Sequence, residues 1–174
     1  GNIVGQAETC IQVVETCIQA GDNITWARYV TQTFSALSIP VCEHIEKPAW
    51  LEDDALDATS SRVLSILQAR TRDEPQYRND LFDAYVFRAV ALTSEDKPAK
   101  LHERSKCIQR AQSLADNPSQ LAMVKSIDSA WDAMKQGKTE AEFVHSMEMP
   151  ESMRENWELL RKVETASTSV SADR

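Results

Sequence analysis

Residues 8–19, ETCIQVVETCIQ, carry the pentapeptide ETCIQ twice, seven positions apart, and the reading of that repeat decides the fold. Residues seven apart differ by only about 20° around a straight α-helix, so Cys10 and Cys17 share a face while lying about 10 Å apart along the axis. Working outward, Ile3, Ala7, Ile11, Val14 and Ile18 recur at three- and four-residue intervals, the period of one buried helical stripe. The repeat is therefore two turns of an apolar seam that uses cysteine as a small hydrophobe. A Cys10–Cys17 disulfide does not fit such a helix, because the bridge needs Cα atoms within about 7 Å. Two heptads are too few for a coiled coil.

The same period continues down the chain. Gly21-Asp22-Asn23 supplies a stop and a cap, and Ile24, Ala27, Val30, Phe34 and Leu37 mark a second helix. A short turn over 40–46 leads to Pro48, after which Leu51, Ala55, Thr59, Val63, Ile66 and Leu67 predict a long third helix. Pro75 opens a fourth with Leu81, Phe82, Tyr85, Ala89 and Leu92, and Leu101, Ile108, Ala111 and Ala115 mark a fifth. Asn117-Pro118-Ser119-Gln120 is a capped start for a sixth, carrying Leu121, Val124, Ile127 and Trp131. Thr139 followed by Glu142 is a capping box for a short seventh, and Pro150 begins a last segment with Met153, Trp157, Leu160 and Val163. All six prolines fall where a helix could begin, the position at which a missing N–H costs nothing. No segment shows the sustained alternation of a half-buried strand. The expectation is an all-α, single-domain bundle of about seven helices over residues 1–165, with a flexible tail over 166–174. Thr93-Ser94-Glu95-Asp96-Lys97 is the boundary should two subdomains exist.

A chain of 174 residues, 42% hydrophobic, can close a sizeable core. Its 27 acidic residues against 19 basic ones give a net charge of −8, which opposes wholesale attraction to nucleic acid or anionic membrane. No run approaches the roughly 18 apolar residues needed to span a bilayer, and no secretory leader is visible. The four cysteines include no CxxC pair, so reduced thiols and a cytoplasmic location are expected. A secreted protein with two disulfides is the alternative. Another is membrane association through a myristoylated Gly1, although Gly5 stands where such signals carry serine or threonine and no basic residue precedes Arg28. One acyl chain without basic support gives only marginal attachment.

Three constellations invite a chemical reading. Asp53-Asp54-Ala-Leu-Asp57 resembles the DDxxD element with which helical isoprenoid synthases hold diphosphate through magnesium, a spacing that turns three carboxylates toward one helix face. That resemblance implies a second acidic cluster on a facing helix. The nearest candidate, Asn79-Asp80 with Asp83, lacks the family's remaining residues, so the string reads instead as first-turn carboxylates facing the positive end of a helix dipole. Glu142-Phe-Val-His145 has the Glu-x-x-His spacing of di-iron bundles, but neither His44 nor His102 has a glutamate three residues before it. The metal alternative is a mononuclear site from His44, His102 and His145 with Glu142. Cys42-Glu43-His44 offers a thiol and an imidazole, yet positions two apart on a helix point to different faces. Four glycines cannot build a phosphate-binding loop, and no cofactor is expected.

Charge placement is the clearest functional signal. Residues 43–57 hold six carboxylates, Asp53, Asp54 and Asp57 among them, against one lysine, whereas 97–110 hold Lys97, Lys100, Arg104, Lys106 and Arg110 against Glu103 alone. No aromatic residue interleaves the basic stretch, which disfavours stacking on single-stranded nucleic acid. The sequence thus predicts a non-enzymatic helical interaction or assembly protein, of accessory or adaptor type, that meets a protein partner or another copy of itself through these charged patches. A small-ligand or metal-binding bundle built on Cys42 and the three histidines is the competing expectation.

Overall fold

In the computed structural model of the chain, residues 2–93, 95 and 97–135 are described, and they form six α-helices with no strand among them. The fold is all-α. The helices are α1 (Ile3–Ala20), α2 (Asn23–Leu37), α3 (Leu56–Asp73), α4 (Arg78–Ala91), α5 (Pro98–Leu114) and α6 (Pro118–Lys135). The segments after Gly137, including the capping box at Thr139, the helix at Pro150 and the tail at 166–174, lie outside the described residues.

The opening repeat is helical throughout. Asn2 caps α1 by accepting the Gly5 N–H at 3.0 Å, and Gly21 ends it at φ 71°, where its N–H donates to the Cys17 carbonyl. Only glycine takes that left-handed conformation without strain. Asp22 then caps α2, accepting the Thr25 N–H at 3.1 Å and its hydroxyl at 2.7 Å. The buried part of α1 is narrower than the apolar period suggests. Ala7, Val14 and Cys17 are buried and Cys10 is partly so, but Ile18 is 57% exposed. Positions 7, 10, 14 and 17 form the two-per-heptad seam that a single partner helix covers, and among the described residues α1 packs chiefly on α2, with a 3₁₀ turn beside it.

Pro40, Pro48 and Pro75 introduce single 3₁₀ turns (Pro40–Cys42, Ala49–Leu51, Pro75–Tyr77) rather than α-helices. Pro98 and Pro118 do occupy the first positions of α5 and α6, and Asn117 caps α6 by accepting the Gln120 N–H at 2.9 Å. The third helix starts later than its apolar pattern predicts. Leu51 is buried, Glu52 turns extended at ψ 153°, and Asp53-Asp54-Ala55 make a turn before α3 begins at Leu56. Aspartate favours such turns because its side chain competes for backbone hydrogen bonds. Asp53 and Asp54 therefore precede the helix, and only Asp57 lies in its first turn.

Helices α2, α3 and α4 touch one another, α1 flanks α2, α5 flanks α4, and α6 flanks α5. Val14, Trp26, Val30, Val63, Leu67, Phe82, Phe87 and Ile108 belong to one continuous core. The Phe34 and Phe87 rings lie 4.5 Å apart at 40°, and Arg62 of α3 covers the Trp26 ring of α2 at 4.5 Å. Packing of α4 on α5 spans the 93–97 interval. None of the described helices is long and apolar enough to cross a membrane. Cys17, Cys42 and Cys107 are buried and Cys10 partly so, and all four are free thiols.

Leu67→Ala should lower the urea unfolding free energy by about 2–5 kcal/mol, the cost of an unfilled core site. Ile18→Ser should stay within about 0.5 kcal/mol; a loss comparable to Leu67→Ala would show that α1 buries more than its narrow seam.

Candidate functional site: a charged cluster joining three helices

The acidic and basic stretches meet inside the chain, around an arginine that belongs to neither. Arg88 stands on the apolar stripe of α4, seven residues after Leu81 and four before Leu92, and is 2% exposed. Its Nη1 lies 2.7 Å from the Asp57 carbonyl, 2.5 Å from Asp57 Oδ1 and 2.9 Å from Ser60 Oγ. Its Nε and Nη2 donate to Glu103 Oε1 at 3.2 and 2.9 Å. Lys100 adds a second cation, with Nζ 2.9 Å from Asp57 Oδ2. Two cations thus face two carboxylates, and α3, α4 and α5 are tied at one point.

Burying a guanidinium costs several kcal/mol unless its donors are met. Here burial alone would pull the Arg88 pKa down, but the bonds to Asp57 and Glu103 outweigh it and hold the group charged. The Asp57 carboxyl is held below its ordinary value, first by Lys100 and then by Arg88. Burial pushes the neighbouring Cys107 thiol up to about 11, with Glu103 adding to the rise and Arg88 opposing it.

Arg104 is likewise part of the fold. It is 3% exposed, its guanidinium lies 4.6 Å over the Trp131 ring, and its Nη2 reaches the Ile127 carbonyl at 3.4 Å. Its buried Nε has no hydrogen-bond partner among the described residues. Burial lowers its pKa, while Asp128 and Asp132 act in the other direction. Lys100 and Arg104 thus clamp α5 to its neighbours. On the opposite side of α5, His102, Lys106 and Arg110, each four residues from the next, are all exposed, as is Lys97 at the helix start. None of the four makes an ion pair among the described residues.

Asp53 and Asp54 are exposed in the turn before α3, near the exposed Glu43, Glu46 and Glu52 in sequence. Asp57 meets α4 at Arg88, eight residues and about 12 Å along the helix from Asp80, which pairs instead with Arg28 of α2 at 3.1 Å. The two acidic strings of the DDxxD resemblance therefore do not face each other. Cys42 is buried, its thiol pKa raised by burial, whereas His44 is exposed. Among the described residues no three His, Cys, Asp or Glu side chains are grouped to hold a metal ion. Glu142, His145 and Gly1 lie outside those residues. The sequence reading missed Arg88 as the partner of Asp57, and Ser60 and Glu103 as the other partners of Arg88. The available signal was an arginine on an apolar stripe, a position where a charge must be matched by something buried with it.

The cluster predicts coupling. Asp57→Asn and Glu103→Gln should each cost about 1–2 kcal/mol, and the double variant should exceed their sum by about 1 kcal/mol, because only then does buried Arg88 lose both carboxylates. Strict additivity in urea titrations would refute a shared role. Since the Asp57 pKa is depressed on folding, its contribution is complete above the unfolded value near 4 and is lost as pH falls through the lower folded value. Asp57→Asn should therefore flatten the stability profile below about pH 4. No protein-family model, curated protein or solved structure matches the chain.

Proposed function

We propose that the chain is a non-enzymatic helical interaction module that docks an acidic protein surface on the outer face of α5. The observation that carries this reading is the division of the basic stretch: Lys100 and Arg104 are occupied within the fold, while His102, Lys106 and Arg110 form an exposed stripe without intramolecular carboxylates among the described residues. Uncompensated cations on a rigid helix set association rate and partner choice more than they set stability. The exposed acidic segment that includes Glu43, Glu46, Glu52, Asp53 and Asp54 is of complementary sign, which supports self-association as a second reading.

Affinity capture and light scattering at two salt concentrations test both. Lys106→Glu with Arg110→Glu should reduce captured partner at least tenfold at low salt while changing folding stability by under about 0.5 kcal/mol, and the wild-type signal should fade near 0.5 M salt, roughly where screening shortens below 5 Å. Capture that survives both the charge reversal and the salt would overturn the proposal. A dimer abolished by Asp53→Lys with Asp54→Lys would identify the partner as a second copy.

A further inference from the structure

A recess of about 250 Å³ opens between α2, α4 and α6, away from the α5 stripe. Its walls combine Phe34, Val86, Phe87 and Met123 with a polar edge that includes Arg28, Asp80 and Asp83. The volume is below the roughly 300–1,000 Å³ of sites for cofactors and drug-sized ligands, and suits a single long side chain. We propose that this recess is a socket for one arginine side chain of a partner protein, its aliphatic stem on Phe34, Val86 and Met123 and its guanidinium on the Asp83 carboxylate.

The charge arrangement selects a cation. Arg28 of α2 pairs with Asp80 at 3.1 Å, which leaves Asp83, three residues along α4, with no hydrogen bond or ion pair among the described residues. The charged groups lining the recess are Arg28 from α2 and Asp80 and Asp83 from α4; α6 contributes uncharged Met123. Their sum is one negative charge. Asp83 is exposed at the rim of the recess, and its carboxyl is in part withdrawn from water there. Burial first, and the Asp80 charge second, push its pKa up to about 6. An incoming cation relieves both penalties, because it replaces lost hydration and offsets the repulsion. Arginine fits better than lysine, since its planar, weakly hydrated head stacks on aromatic rings while binding a carboxylate. A divalent metal is disfavoured because one of the two carboxylates is already held by Arg28.

The probe is Nα-acetyl-arginine amide, titrated into the full chain while the methyl NMR signals of Met123 and Val86 are followed, with the neutral isostere Nα-acetyl-citrulline amide as control. A fragment of this size should saturate with a Kd of about 1–10 mM. Citrulline should bind at least fivefold more weakly, Asp83→Asn should abolish the difference between the two, and arginine binding should weaken as pH falls through about 6. Asp83→Asn removes a repelled charge, so it should fold and melt higher than wild type near pH 7.5, the gain vanishing toward pH 4 as the wild-type carboxyl takes up its proton. An alanine peptide with one central arginine should bind at least as tightly as the amide; its exclusion would overturn the assignment to a protein-borne side chain. Equal shifts with citrulline, an unchanged affinity in Asp83→Asn, or no saturable change at these methyls would overturn the socket altogether. Lys106→Glu with Arg110→Glu should leave the shifts intact, so failure at the α5 stripe and failure here are separable.

Discussion

A guanidinium at 2% exposure is stable only where the fold supplies what water did, and Arg88 sets that requirement for three helices at once. Asp57 and Ser60 must come from the start of α3, and Glu103 from α5, all converging on one side chain of α4. Apolar packing is tolerant of small slides, whereas charge-assisted hydrogen bonds are short and directional. The cluster therefore acts on register more than on gross stability: a shift of α5 by one turn would strip Arg88 of Glu103 and Asp57 of Lys100 together. The opening repeat, by contrast, needs only a partner helix with a matching groove.

Much of this fold was written in the spacing of apolar residues. α1, α2 and α6 begin where the sequence places them because Asn2, Asp22 and Asn117 make local hydrogen bonds that need no tertiary context, and α5 begins at Pro98 without a side-chain cap. The start of α3 was not legible, since an apolar period through Leu51 and Ala55 says nothing of the turn that Glu52 and its aspartates impose. Ile18 was misplaced for a related reason: periodicity gives the width of an apolar face, not how much of it a neighbour covers.

The charged stretches show the limit more sharply. A count along the chain treats Lys100, Arg104, Lys106 and Arg110 as one patch, yet helical geometry sends the first two inward and the last two out. Position on the apolar stripe would have separated Arg104, which lies four residues before Ile108 and seven before Ala111. Only the folded chain joins Asp57 to Arg88, because their pairing spans 31 residues and two helices. The fold and the surface thus compete for the same residue types, and the surplus left after the fold is satisfied is what a partner encounters.

The distribution of thiols gives the molecule its own internal clock. Cys17 sits in the α1 seam, Cys42 in a 3₁₀ turn, and Cys107 beside the ionic cluster, each sealed from solvent, while Cys10 is half open. A thiol reagent attacks only thiolate it can reach, so the rate at which each sulfur is labelled records how often its own layer breathes. One chain thereby carries separate chronometers for its periphery and its centre.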